Sequence, residues 1–488
     1  MSKKDKELRQ QVACEWLEQN YLNWGHLRHD IVTDRLQIRC ADSTGEEAIR
    51  RGGERQERWR NLTDKDINTM VCNCVAESQV NINLSEMFTA LKSDLVPAVH
   101  PIRAWLDGLP PYTPDQPDWI DWVASQVTVK PSLLSDDRPK GLLDRTSCYE
   151  TTCSTPKSHE LFQGPRTLRD RTEGAERPME SLSEACERSK ADRLWRVCFK
   201  KWFVAMVASW MKDEVVNHTV LVLVGRQGIF KTTWLDKLIP PELRAYSSKL
   251  PLSGQISKDD RLRLCENGML NIDELDAMCG REMNIVKSLL TSTDVNERAA
   301  YGRLKERRVR LASFCASTNK REFLTDITGN RRWLPFEVES IQNPFHTIIP
   351  YERLYAQAKA LVEEGIFSYW FDMEEMEVLE AHNEEFRALE NEEQLLPILF
   401  DIPAEGKGEF MTTAEISDKL VTYGGIKKPM NSRKLGMLLS KRGYTKRTMY
   451  ISGTMVRGWI VYQREADEIK LVKKRENVLT SLQPDNLF

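Results

Sequence analysis

The stretch Thr219-Val220-Leu221-Val222-Leu223-Val224-Gly225-Arg226-Gln227-Gly228-Ile229-Phe230-Lys231-Thr232-Thr233 decides the reading of this chain. Its first six residues form an uninterrupted β-branched and apolar run, the pattern of a strand covered by helices on both faces. A glycine-containing turn follows, then Trp234 to Ile239 at helical spacing and a Pro240-Pro241 stop. Strand, glycine loop, Lys-Thr and helix, in that order, make a phosphate-binding loop, whose amides and positive helix end meet nucleotide phosphates. Gly225, Gln227, Gly228, Phe230 and Thr233 would line it. Lys231 would bring a point charge to the outer phosphates and Thr232 a hydroxyl to magnesium, so ATP and Mg2+ are the expected cofactors. Phe230 stands where GxxxxGK[ST] has its second glycine, and it puts a side chain where backbone usually passes closest to phosphate. On this motif alone, a strand, turn and helix without nucleotide stays open.

Three later elements come in the order such a site needs. Gly268-Met269-Leu270-Asn271-Ile272-Asp273-Glu274 reads as an apolar strand ending in two carboxylates. Asp273 could hold the metal shell and Glu274 could orient or deprotonate an attacking water; a capped strand end is the plain alternative. Val309 to Thr318 reads as a third strand, with Asn319 at its tip to complete the hydrogen bonds of that water or, more simply, to form a turn. Thr328-Gly329-Asn330-Arg331-Arg332-Trp333 offers Arg331 and Arg332 as candidates to stabilise charge on a transferring phosphoryl group, from a neighbouring subunit in many such sites. An exposed turn with two arginines is the alternative. Taken together in this order, the four elements favour an ATPase.

Composition narrows the class. The 488 residues are 41% hydrophobic and 29% charged, with 70 Lys+Arg against 73 Asp+Glu, which excludes a uniformly basic DNA-coating protein. Apolar runs stop near ten residues, about half of what a membrane-spanning helix needs. The charged opening MSKKDKELRQ lacks a secretory apolar stretch and predicts a cytoplasmic location. Eleven cysteines, an odd number, show no zinc spacing, and buried thiols are the expectation.

The pattern predicts five segments. Residues 1–130 read as a helical accessory domain. Residues 131–190 have no sustained apolar period and read as a disordered insertion; they contain Leu161-Phe162-Gln163-Gly164-Pro165, which looks like a viral protease cleavage core. Residues 191–370 form the ATPase core, opened by a helix whose aromatic face, from Trp195 to Trp210, reads as core packing. Residues 371–400 form an acidic helical linker, with ten acids and one Arg between Phe371 and Glu393. Residues 401–488 form a basic module, with twelve bases against four acids between Glu405 and Arg464. There Thr412-Thr413-Ala414-Glu415 has capping-box spacing. A second helix turns Leu435, Leu438 and Leu439 inward and Arg433, Lys434, Lys441 and Arg442 outward. Two strands flank Ser452-Gly453-Thr454. Two helices leading into a hairpin match a winged-helix pattern, with duplex DNA its usual ligand and a protein partner the alternative.

Carried by GRQGIFKTT, MLNIDELDA, ERAAYGR, ASTN and TGNRRW, the stretch from about Trp202 to Val338 resembles the virulence-associated E family of P-loop ATPases. That family is similar to superfamily 3 helicases of phages, plasmids and genomic islands. WIDWVASQVTVK and YAQAKALVEEG look like the branch found in mobile elements of Bacteroidetes. The resemblance implies an α/β fold with an AAA+-like P-loop core, a hexamer-like homo-oligomeric ring with ATP at each interface, and translocation on single-stranded DNA with a separate primase as partner. In similar helicases a hairpin between the Asp273 strand and Asn319 projects into the ring channel. Arg298, Tyr301, Arg303 and Lys305, followed by Arg307, Arg308 and Arg310, would serve a single strand there, by charge and by stacking; solvated surface charge is the alternative. The resulting expectation is an ATP-dependent DNA helicase or translocase of a mobile element. A DNA-binding ATPase switch without unwinding and a non-hydrolysing origin-binding or loader protein stay open.

Overall fold

The structure, a computed structural model, describes residues 3–40, 58–131, 182–250, 257–273, 275, 280–297, 306–324, 330–403, 408–427, 429–451, 453–465 and 467–470. The chain is of mixed α/β class. It divides into two compact units, Met1–Arg321 with Arg331–His382, and Glu322–Asn330 with Asn383–Phe488.

The first hundred residues hold helices, and with them a small sheet that the helical expectation did not include. β1 (Leu27–Asp30) pairs antiparallel with β2 (Arg35–Cys40), which pairs with β3 (Arg58–Asn61), while β4 (Ala98–Val99) lies parallel to β1. Helices Lys3–Leu17, Asp64–Ser78 and Leu84–Leu91 share a core of Ala13, Trp16, Met70, Cys74 and Met87. The strands are short and rich in Arg, His and Gln, so their period of two carries little apolar contrast. β5 (Val127–Val129) then joins the central sheet, antiparallel to its edge.

That sheet follows from the long apolar runs. β6 (Val220–Val224) is buried along its whole length and lies between β11 (Ser313–Thr318) and β12 (Trp333–Ile341). With β7 (Ser247–Lys249) and β8 (Met269–Ile272) the order is β5-β12-β6-β11-β8-β7, and every pair except β5–β12 is parallel. The chain leaves β6 toward the β7 edge and returns on the other side at β12, so the loop after β6 opens where an α/β sheet presents its crevice.

Helix Leu182–Met211 clamps this sheet. It begins nine residues before Ala191, so Leu182–Lys190, expected to be disordered, are helical; residues 132–181 lie outside the described residues. Its Trp195, Trp202 and Trp210 are buried and donate their indole N–H groups to the carbonyls of Ala124, Phe314 and Gly268, at 2.9, 3.0 and 3.0 Å. Each ring thus buries apolar area while its one polar atom stays satisfied. A Cβ on Gly268 would meet the Trp210 ring at 2.8 Å, so the start of β8 needs glycine for close approach.

The strand expected from Val309 to Thr318 is broken. β9 (Asp294–Glu297) and β10 (Glu306–Val309) form a separate antiparallel pair, and β11 starts only at Ser313. Arg310 causes the break. It is fully buried and donates to the carbonyls of Asn217, Leu289, Leu290, Ser292 and Ala312, at 2.7 to 3.3 Å. Burial pushes its guanidinium down to about 9, and at neutral pH it stays charged.

The second unit packs β13 (Phe400–Asp401), β14 (Glu409–Met411) and β15 (Thr445–Ile451) around β16 (Thr454–Gln463). Helix Thr413–Gly424 has the expected capping box between Thr412 and Glu415, and helix Ser432–Lys441 buries Leu435, Leu438 and Leu439. The acidic segment 371–400 is helical over Met373–Asn383 and Asn391–Leu399, and several of its acids are buried. Within the first unit Glu375 is buried against Lys201, at 2.8 Å. Within the second, Glu393 is buried in a bidentate pair with Arg387, and Glu392 accepts the Met430 amide at 2.5 Å. The boundary between the two units falls inside this segment, at His382.

Arg310→Met strands five buried carbonyls and lowers unfolding stability by about 3 kcal/mol or more, measured by chemical denaturation. Arg310→Lys, which keeps the charge but not the fork, recovers only part of that loss.

Candidate functional site

Register alone brings the strand tips together. Thr318 is level with Val224, and Ala316 with Ile272. Asn319, Gly225 and Asp273 therefore all leave the sheet from the same edge. The Gly225 amide donates to Thr318 O at 3.1 Å, which ties the loop to the end of β11. Gly225 has φ +154°, and a Cβ there would stand 2.9 Å from Val338 O. At the exposed crest lie Arg226, Gln227 and Gly228, whose φ of +88° favours glycine.

Phe230 keeps the backbone of the glycine it replaces, at φ +67° and ψ 17°, as the residue before helix Lys231–Asp236. A left-handed conformation costs an L-residue about 1–2 kcal/mol. The ring packs edge-on against Phe345, with centroids 6.2 Å apart. The loop has thus kept its path and accepted strain.

Lys231 is buried and curls back, its ammonium donating to Gly225 O and Arg226 O at 2.7 Å each and to Asn319 Oδ1 at 3.0 Å. Beside it, Thr232 Oγ1 lies 2.9 Å from Ser317 Oγ and 3.4 Å from Asp273 Oδ1, and Ser317 Oγ lies 3.3 Å from that same carboxylate oxygen. The other oxygen, Asp273 Oδ2, is 2.5 Å from the Lys249 ammonium at the end of β7. Burial alone would raise the Asp273 carboxyl. Lys249 and the two hydroxyls outweigh it and hold the group below its ordinary value. Thr233 sits half-buried in the first helical turn. Glu274 lies outside the described residues.

Ser317 and Lys249 were not singled out from the sequence. Ser317 had a signal, a polar residue near the end of the buried run Ser313–Thr318. Lys249 had none, because only the sheet order sets β7 beside β8.

Arg331 and Arg332 do not join this group. They precede β12, whose Trp333 is level with Val220, so they leave the opposite edge of the sheet, about 13 Å away at some 3.3 Å per residue. Neither forms an ion pair among the described residues.

The expected basic contacts divide. Arg298, Tyr301, Arg303 and Lys305 lie outside the described residues, between β9 and β10. Arg307 pairs with Asp294 at 2.7 Å, Arg308 reaches Glu266 and Val32 O, and Arg310 is interior, so these three bases serve the fold. On helix Ser432–Lys441 and just beyond it, Lys434 pairs with Glu390, Lys441 with Glu384 at 2.6 Å, and Arg442 donates to Glu393 O at 3.2 Å. Of that set, Arg433 is exposed and forms no ion pair among the described residues.

Residues 170–388 match the family profile described as the virulence-associated protein E-like domain. No curated protein matches the chain. Among solved structures, it is similar to the apo C-terminal region (305-718) of NrS-1, with 12% identity over 90% of this chain and 97% of that one and a TM-score of 0.37. The A form of the same apo region gives 13% identity over 92% and 99%, with a TM-score of 0.36. No helix among the described residues is long and apolar enough to cross a membrane.

Replacing Lys249 by Met removes the cation on Asp273, so the carboxyl titrates at higher pH, read by carbon NMR of labelled aspartate. Phe230→Gly releases the left-handed strain and raises unfolding stability by about 0.5–1 kcal/mol after the entropy cost of glycine.

Proposed function

We propose that this chain is an ATP-dependent DNA helicase or translocase acting in replication of a mobile element, built on an AAA+-like P-loop core with a winged-helix-like C-terminal unit. One observation carries the reading: Lys231, Thr232, Ser317, Asn319 and Asp273 meet at the neighbouring C-terminal ends of three adjacent parallel strands. The virulence-associated protein E-like match and the phage-type replication theme it suggests agree with it.

The residues fit a magnesium nucleotide. One carboxylate and two hydroxyls around a shared point, with a lysine ammonium already on the carboxylate, is a donor set that leaves the remaining metal positions to phosphate and water. Thr232 and Asp273 would hold Mg2+, which when bound would offset the charge on the phosphates. Lys231 would exchange the carbonyls of Gly225 and Arg226 for phosphate oxygens, and Asn319, already on Lys231, would orient the attacking water. Glu274, next in the chain after Asp273, would take its proton.

Arg331 or Arg332 would act on a neighbour's nucleotide in a ring. Their place at the far edge of the sheet supports that and argues against action within one chain. Single-stranded DNA would run along the β9–β10 hairpin and its connection, and a separate primase would act with the motor.

Lys231→Ala and Asp273→Asn each lower DNA-stimulated ATP hydrolysis 100-fold or more, followed by phosphate release, with melting temperature little changed. Mixing Lys231→Ala subunits with Arg331→Ala/Arg332→Ala subunits restores part of the activity, because each supplies what the other lacks across an interface. Failure of the mixture, with each variant still assembling, removes the trans role. Hydrolysis without strand displacement turns the motor into a switch, and absence of nucleotide binding leaves only a non-hydrolysing loader.

A further inference from the structure

The β15–β16 hairpin of the second unit has two unlike halves. Near the core, Trp459 and Val461 are buried, and the Trp459 indole donates to Thr413 Oγ1 at 3.0 Å. A Cβ on Gly458 would stand 2.5 Å from Met411 O, so the hairpin is seated tightly at its base. Beyond Gly458 no described residue of either strand is buried. At about 3.4 Å per residue, this outer half reaches on the order of 10 Å from the last packed position.

Its chemistry is uneven in an informative way. Met449, Tyr450 and Met455 are 43%, 76% and 67% exposed at the far end. Tyr450 is the direct cross-strand partner of Met455, so the two share a face. Lys446, Arg447 and Arg457 flank them, and no acid occurs between Thr445 and Gln463. Those three bases form no ion pair among the described residues, whereas Lys434 and Lys441 on the preceding helix are paired to glutamates. Lys446 lies 5.8 Å over the Trp459 ring, and positive charge without an acidic partner around an exposed aromatic and two flexible thioethers suits phosphates beside an exposed base face. Methionine and other apolar side chains act as wedges against bases, and tyrosine stacks on any of them.

We propose that this hairpin, and not helix Ser432–Lys441, is the DNA contact of the C-terminal unit. It sets Tyr450 and Met455 on the exposed face of the last base pair where duplex opens into single strands. Lys446, Arg447 and Arg457 hold the flanking phosphates. The proposal rests on the reading of the chain as DNA-acting and refines where and what it binds.

Fluorescence anisotropy on the full chain without nucleotide tests it, with three probes of equal length: a forked duplex, a duplex closed at both ends by loops, and a single strand. The wild-type chain binds the fork tightest. Tyr450→Ala/Met455→Ala, both at exposed positions, lowers fork affinity about 5-fold or more and leaves the closed duplex within twofold. Arg447→Glu/Arg457→Glu weakens every probe and flattens the salt dependence of log affinity by about two. Fork binding within twofold of wild type in both double variants overturns the proposal, whether the hairpin then serves a protein or nothing. Equal loss on fork and closed duplex in the tip variant overturns the junction contact. ATP hydrolysis measured without DNA separates the two readings. Hydrolysis with unaltered DNA binding in the hairpin variants sinks the hairpin alone, and hairpin-dependent DNA binding without hydrolysis sinks the motor alone.

Discussion

The arrangement depends on a parallel register held over three strands. Because β8, β11 and β6 run the same way and end within two residues of one another, residues far apart in sequence leave the sheet at one edge. Val224, Ile272 and Thr318 precede the loop glycine, the carboxylate and the amide respectively. A slip of one residue in β11 would turn Ser317 and Asn319 to the other face, since side chains alternate along a strand. The tryptophans of helix Leu182–Met211 guard against that slip by bonding to backbone carbonyls at Phe314 and at Gly268, beside β11 and β8. Packing energy and site geometry are thus fixed by the same contacts.

A second theme is the use of charge. Among the described residues, most bases that a sequence scan would offer to nucleic acid are occupied within the chain. Arg310 holds five carbonyls, Arg307 and Arg308 meet acids, and Lys434 and Lys441 meet glutamates of the acidic segment. The excess of bases in the C-terminal segment is therefore partly an internal balance against the acids just before it. Charge left without an internal partner is a sharper guide to ligands than the count of bases.

Much of this was legible beforehand. The apolar run Val220–Val224, the glycine loop, the Thr412 capping box and the aromatic face of the long helix are local signals, written in spacing of two or 3.6. The β1–β4 sheet was not, because its strands are short and their outward residues as polar as a helix surface. Arg310 misled for another reason: in a run of arginines, burial of one depends on carbonyls of Asn217 and Leu290, which no local pattern announces. Within the site, Lys231, Thr232 and Asp273 stood out by motif, and Lys249 by sheet order alone. Phe230 looked like a departure that sets a side chain beside the phosphates, and its backbone nonetheless takes the left-handed conformation that glycine favours.

The central claim, that the C-terminal ends of β6, β11 and β8 form one nucleotide pocket, is tested most directly by amide hydrogen exchange with and without a non-hydrolysable ATP analogue and magnesium. The account predicts that amides from Gly225 to Thr232 slow roughly tenfold or more, with smaller slowing at Asp273 and Asn319, and that β9 and β10 are unchanged. Unaltered exchange from Gly225 to Thr232 at saturating analogue, or protection confined to another part of the chain, would contradict it.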